Sequence, residues 1–540
     1  MRIAFNLLLA MITSCLLSAQ SEKPKMVVGI VVDQMKQEYL WRFENHFGTG
    51  GFKRLMDYGF VAKNGHFNYS ATSTGPGHAS VYTGTTPSIH GVVDNVWYSR
   101  ALKRTVYCAE DTMVTAVGGT SDNGQISPIN LYSSTITDEL KISTQQAGKV
   151  IAMSIKDRGS ALPGGHFSDG SYWYDSNTGE FMTSSYYMDN LPDWVTSFNN
   201  RELADTYLSQ IWDTKKPINE YDESGIDNSP YEWGFQGKDT PTFPYDLAEL
   251  RKTNGNLGLL PSTPYGNTIL SEFALAAIEA EGLGEDEITD FLAIGYSSPD
   301  YIGHNFGPQS KEVQDNYVRL DQEIERLLNF LDEQVGVDEY VVFLTADHGV
   351  ADNSQRMKDD RFRVDNLSRD KLYAFVDSAL MKKYGAAGWF EGPRGYDSFL
   401  NHELIEERDL TLYEIQLFIA QTMMKYPGVH LVMTATDLAR NSYQDPMRYL
   451  MQNSYHPKES GDLKLILEPA WQRGGSKGTG HGNAWTYDTH VPIIFYGWGI
   501  KKGDSVRKIA ITDIAPTISM LLEIRLPSGA TGQPIFEAFD

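Results

Sequence analysis

The chain has 540 residues, of which 41% are hydrophobic and 21% charged. These are the values of a globular protein able to bury a sizeable core, and they exclude a disordered or fibrous chain. A formal net charge of −24, from 46 basic and 70 acidic residues, opposes binding to nucleic acid backbones, so attraction for any anionic substrate must be local, through metal ions or a few well-placed cations.

Residues 1 to 19, "MRIAFNLLLAMITSCLLSA", combine Arg2, an apolar run and small residues at the end, the layout of a secretory signal peptide. No later apolar run is long enough to span a bilayer. The expectation is an exported enzyme, periplasmic or secreted, with residues 20 to 540 as one catalytic domain. Lipoprotein processing at Cys15, where "ITSC" fits, is the rival reading. Removal of the leader leaves Cys108 with no cysteine partner, so stability must come from core size or bound metal.

"KMVVGIVVD" (25–33) is an apolar run ending in Asp33, as expected for a strand buried on both faces of a parallel sheet. "TSTGPGH" (72–78) sets Thr74 before Gly75, Pro76 and Gly77. One reading is a punctuated loop; the other is a nucleophile at a helix N-terminus, where free N–H groups receive an anion. "KVIAMSIKDRG" (149–159), "ITDFLAIGYSSPD" (288–300), "EYVVFLTADHG" (339–349) and "HVPIIFYGWG" (490–499) repeat the apolar run with polar residues at its end. Ligands gather at the carboxyl ends of strands in open α/β sheets, which draws these residues toward one rim.

Between the strands, Val313, Tyr317, Leu320, Ile324, Leu327 and Leu331 mark an amphipathic helix with Ser310 as its cap. The alternation predicts a doubly wound, mostly parallel α/β core. Two segments interrupt it, at about 165–262, rich in Tyr, Trp, Asp and Asn, and at about 367–475. Both are expected to be insertions that wall the site, with a separate domain in the second as an alternative.

Asp300 and His304 are four residues apart and share a helical face. Asp347 and His348 are adjacent and can meet one ion only where the strand has ended. His481 lies between glycines that let an ion approach, whereas His490 stands at a strand start. With Asp33 these make three carboxylates and three imidazoles, a donor set that suits Zn²⁺ and is large enough for two ions. Paired metals clamp an in-line phosphoryl displacement, and coordination lowers the pKa of a threonine hydroxyl enough to make it a nucleophile.

In their order along the chain, "VVDQM", "TSTGPGH", "GVVDN", "IKDRG", "SPDYIGH", "TADHG" and "GTGHG" resemble the alkaline phosphatase superfamily and, within it, the monomeric exported PafA-type phosphatases. The resemblance runs from about residue 24 to the C-terminus. It implies two Zn²⁺ ions, one faced by Asp33, Thr74, Asp347 and His348 and the other held by Asp300, His304 and His481. It also implies that Asn95 donates to a phosphate oxygen and that Lys156 and Arg158 form the cationic pair separating monoesterases from nucleotide pyrophosphatase/phosphodiesterases. On an extended segment those two side chains share a face, with Asp157 pointing away. Gly75 is expected to offer its N–H to the phosphate. The activity implied is hydrolysis of small-molecule phosphate monoesters through a phosphothreonine intermediate, by a monomer that binds no nucleic acid. Alternatives are diester or pyrophosphate cleavage, phosphate transfer to a second hydroxyl, and a metal-stabilised protein without catalysis.

Overall fold

The computed structural model describes residues 23–392 and 395–539. The expected leader and Cys15 lie outside the described residues. Among those described, no helix is long and apolar enough to cross a membrane.

The strands of the two larger sheets are β1 (Met26–Val32), β2 (Phe60–Ala62), β3 (Ala116–Val117), β4 (Val150–Ser154), β5 (Gly170–Asp175), β6 (Glu180–Ser184), β7 (Asp290–Tyr296), β8 (Tyr340–Thr345), β9 (Phe390–Glu391), β10 (Asp397–Leu400), β11 (Val429–Thr434), β12 (Leu463–Leu467), β13 (Ile493–Gly497) and β14 (Gly503–Ser505). Ten of them form one sheet in the order β14-β2-β13-β8-β1-β7-β4-β5-β6-β3. β1 lies near its middle, parallel to both β7 and β8, with Val28 level with Leu292 on one side and Val342 on the other. All seven residues of β1 are buried. Each large apolar side chain there stabilises the fold by roughly 1.5–3 kcal/mol, which is why the run tolerates no polar residue before Asp33.

Because β1, β4, β7 and β8 are parallel, the residues that follow them leave the sheet at one rim. β13 departs from the expected pattern: it runs antiparallel to β8, with Thr345 level with Ile493. Its C-terminal residues exit at the opposite rim, and only its start approaches the site. An apolar run encodes burial but not direction.

Five helices matter for the site and its support: α1 (Thr74–Thr83), α2 (Arg158–Gly164), α3 (Tyr265–Glu281), α4 (Ser298–Phe306) and α5 (Lys311–Gln334). The apolar stripe of α5 is buried, and Ser310 Oγ accepts from Val313 N–H at 3.2 Å, the cap the sequence indicates.

The two long segments differ in kind. The first is not purely an insertion: β5 and β6 fall inside it and extend the main sheet. Its aromatics Trp212, Tyr221, Phe235 and Tyr245 join the main apolar cluster, and Trp212 Nε1 donates to the buried Asp315 at 2.8 Å. The second builds a separate sheet, β9-β10-β12-β11, over its own apolar cluster running from Leu367 to Leu467.

Candidate active site

Thr74 is the first residue of α1, after Ser73 in extended conformation, and its side chain is buried. The glycines beside it are explained by close approach. A Cβ on Gly77 would stand 2.2 Å from the Asp347 carbonyl oxygen, and one on Gly75 2.9 Å from Cys108 Sγ. Pro76 falls in the first helical turn, where an N–H is not needed. Helix α1 can therefore press against the loop after β8.

Gly75 departs from the expectation. Its N–H donates to Asn95 Oδ1 at 2.6 Å, and Gly77 N–H is taken by the Ser73 carbonyl. These donors are engaged inside the protein rather than turned to a ligand. The bond orients the Asn95 amide, so that Nδ2 is the donor left to point outward. Asp94 completes the support, accepting from Ser73 Oγ at 2.9 Å and from Asn95 N–H at 2.7 Å.

The six acid and imidazole residues converge at the rim. Nε2 of His304 lies 3.1 Å, and Nε2 of His481 3.6 Å, from Asp300 Oδ1. Nε2 of His348 lies 3.3 Å from Asp33 Oδ1 and 3.7 Å from Asp347 Oδ2. Ligand atoms of Asp300, His304 and His481 all fall within 4.8 Å of one another, and so do those of Asp33, Asp300 and His348; Asp300 thus stands between the two groups. The rings of His348 and His481 stack with centroids 3.6 Å apart. His490 is elsewhere: it stacks on His66 and bonds to the Lys63 carbonyl.

Three observations test whether this set fits metal. First, each imidazole gives Nδ1 to a backbone carbonyl, His304 to Thr479 at 2.9 Å, His348 to Gly349 at 2.9 Å and His481 to Thr72 at 2.8 Å. A carbonyl only accepts, so Nδ1 carries a proton in each ring, and a ring that is otherwise neutral, as a metal ligand must be, has its Nε2 lone pair turned to the cluster. Without a metal, burial opposes a charge on His304, but Asp300 outweighs it and raises the ring to about 9. Second, Asp33 Oδ1, Asp347 Oδ2 and His348 Nε2 are buried without an aligned hydrogen-bond partner among the described residues. Third, burial, reinforced by Asp300 and Asp347, pushes the Asp33 carboxyl well above its usual range, and burial pushes Asp347 up to about 6. Buried carboxylates this crowded need a cation, and the residues fit one.

Part of that need is met by Lys156. Its Nζ lies 2.6 Å from Asp33 Oδ2 and 2.6 Å from Asp300 Oδ2. Burial opposes its charge, but the two carboxylates outweigh burial and raise the ammonium above its ordinary value. Burial would likewise raise Asp300, yet His304 and Lys156 hold it well below the usual range. Lys156 follows β4 in a bend and Arg158 opens α2, so the pair is not on an extended strand as expected. Asp157 caps that helix through Arg158 N–H. Arg158 Nη2 reaches Thr74 Oγ1 at 3.4 Å, and Nη1 donates to Tyr107 OH at 3.1 Å. Tyr107 OH donates in turn to Asp157 Oδ1.

Tyr107, Gln34 and His78 escaped the sequence reading. Gln34 has φ 65°, in the left-handed region, and from there donates N–H to Asp347 Oδ1 at 3.2 Å and Nε2 to Asp300 Oδ1 at 2.6 Å. His78 Nε2 stands 3.8 Å from Asp347 Oδ2. The positions of Gln34 and His78 inside "VVDQM" and "TGPGH" were the available signal; Tyr107 had none.

A cavity of about 630 Å³ opens from Ser73, Asn95, His304 and His481 toward Tyr98 of the hairpin Val96–Ser99/Arg104–Tyr107, and toward Tyr396 and Arg473 of the second segment. Among the described residues the first segment lines none of this cavity, but it packs beside the site, where Trp233 N–H donates to the Asn305 carbonyl and Gly478 N–H to the Tyr231 carbonyl.

A family model described as type I phosphodiesterase / nucleotide pyrophosphatase matches residues 27–491. The chain belongs to this family. It is 43% identical over 529 residues (97% of this chain, 96% of the relative) to a protein of Myroides odoratus named calcium-transporting ATPase. It is 41% identical over 542 residues, 98% of each chain, to alkaline phosphatase PafA of Elizabethkingia meningoseptica. The crystal structure of wild-type PafA superposes with a TM-score of 0.92 at 41% identity, covering 96% of this chain and 99% of that one. The doubly wound, mostly parallel core is therefore the fold of the family.

Proposed function

We propose that this chain is an exported, two-zinc alkaline phosphatase that hydrolyses small-molecule phosphate monoesters through a phosphothreonine. The observation that carries the reading is Thr74 Oγ1 at the start of a buried helix, 3.4 Å from the Arg158 guanidinium and beside a crowded carboxylate–imidazole cluster. The named relative PafA supports it.

Asp300, His304 and His481 would hold one ion, and Asp33, Asp347, His348 and Thr74 the other. Bound there, Zn²⁺ supplies Lewis acidity and lowers the pKa of a coordinated hydroxyl. The oxygen of Thr74 forms the new O–P bond as the leaving-group O–P bond breaks, and water later cleaves the phosphothreonine. Arg158 forks onto the non-bridging oxygens of a phosphoryl group carried on Oγ1. Asn95 donates from Nδ2, fixed by its bond to Gly75. Lys156 adds the cation that favours a dianionic monoester over a monoanionic diester. Such a transition state gains mainly from positioning and electrostatics.

Export is read from residues 1–19, with lipoprotein processing at Cys15 as the rival, and residues 20–540 act as one catalytic unit in a monomer. The deciding experiment compares kcat/KM on p-nitrophenyl phosphate and bis-p-nitrophenyl phosphate in Zn²⁺-loaded protein. The monoester should be preferred; a preference for the diester would replace this reading with the phosphodiesterase one.

A further inference from the structure

The cavity is much larger than a phosphoryl group needs, and its far end has a distinct chemistry. There Arg473 stands over the face of Tyr396, with the guanidinium carbon 3.6 Å from the ring centroid. Arg473 also hydrogen-bonds the Tyr396 side chain, and a guanidinium carries five N–H donors, so one such bond leaves others able to fork onto an oxyanion. Arg473 is exposed, and the carboxylate it attracts is Asp94.

The neighbouring carboxylates are already engaged. Asp397 accepts from Lys464 Nζ at 2.6 Å and from Gly461 N–H at 3.1 Å, and Asp94 serves Ser73 and Asn95. The platform is also tied to the catalytic end. Asn483 Nδ2 donates to Tyr396 OH at 3.3 Å, and a Cβ on Gly482, next to His481, would meet the Tyr396 ring at 3.1 Å. In a chain of net charge −24, an exposed guanidinium lining the same cavity as Asn95 and His481, with Asp94 as a shared rather than dedicated counter-charge, is a local electropositive spot.

We propose that the Arg473–Tyr396 platform is a leaving-group subsite for phosphate monoesters bearing a second oxyanion, either a carboxylate or a second phosphate. This rests on the monoesterase reading above and names its preferred substrates. The test measures kcat/KM on matched pairs, phenyl phosphate against 4-carboxyphenyl phosphate, and fructose 1-phosphate against fructose 1,6-bisphosphate. The doubly anionic member should be favoured by about tenfold. Arg473→Ala and Tyr396→Ala should bring both ratios toward one, with Arg473→Lys intermediate. A shift confined to the bisphosphate pair identifies a phosphate-specific subsite, and one confined to the carboxylate pair a carboxylate-specific subsite; either supports the platform. Wild-type ratios near one, or ratios the variants leave unmoved, overturn it while the monoesterase reading stands. Absence of turnover on every monoester overturns both.

Discussion

Lys156 Nζ lies 2.6 Å from Asp33 Oδ2, joining the ends of two strands that stand two places apart in the sheet. With its second contact to Asp300 at 2.6 Å, the ammonium acts as counter-ion to carboxylates that also belong to the candidate metal groups. A dication and this ammonium therefore answer the same excess of negative charge. In metal-stripped protein, Lys156→Met should remove the buried ammonium that both carboxylates share, a loss of about 3–5 kcal/mol, and lower the thermal midpoint sharply. In Zn²⁺-loaded protein the same substitution should cost much less. Equal losses in both forms would mean that the ammonium is not the counter-ion.

Thr74 gives the most direct chemical test. Thr74→Ala should reduce kcat/KM on p-nitrophenyl phosphate by roughly 10³-fold or more, while Thr74→Ser keeps a hydroxyl and much of the rate. Acid quenching during turnover should trap phosphate on the peptide holding Thr74, and that peptide should be unmodified in the alanine variant.

Tyr107 is a positioning residue, since it meets Arg158 and Asp157 and no reacting atom. Tyr107→Phe removes the acceptor of the 3.1 Å bond from Arg158 and should lower monoester kcat/KM roughly tenfold. Diester turnover should fall less, because the second terminal charge is what the guanidinium reads. Equal falls on both esters would assign Tyr107 a purely structural role.

The support of α1 carries a pH signature. Nδ1 of His90 accepts from Val92 N–H at 3.2 Å, leaving Nε2 to donate to Ser80 Oγ of α1 at 2.9 Å. Burial, assisted by His456, pushes the imidazole down to about 3 from 6.5. Between those values the unfolded chain binds a proton that the native protein does not, so stability falls as pH drops through the window, by up to about 1.4 kcal/mol per unit. Above pH 6.5 both states are neutral and the contribution is complete. His90→Gln, compared with the parent by denaturant unfolding at pH about 7 and about 5, should lose stability less steeply on acidification.

The legible parts of this molecule are those fixed by local pattern. β1, β4, β7 and β8 show in their apolar runs, α5 in its three-and-four spacing, its start in Ser310, the convergence of Asp33, Asp300, His304, Asp347 and His348 in their places after strands, and His481 in the glycines around it. What stayed hidden depends on partners distant in sequence. The direction of β13 follows from β8, not from its own composition. Tyr107 reaches Asp157 across 50 residues, and nothing around it marks it. The Gly75 N–H looked available because the Asn95 side chain that takes it comes 20 residues later. β5 and β6 were read as insertion because short aromatic strands between polar turns carry no sign of the sheet they join.

The second segment holds itself together over its own apolar cluster, yet supplies one face of the reaction chamber. If the proposed subsite holds, the residues that choose the ester stand over a different apolar cluster from those that cleave it. Natural drift, or a laboratory graft exchanging residues 367–475 between relatives, can retune which esters are welcomed without reopening the apparatus that cleaves them.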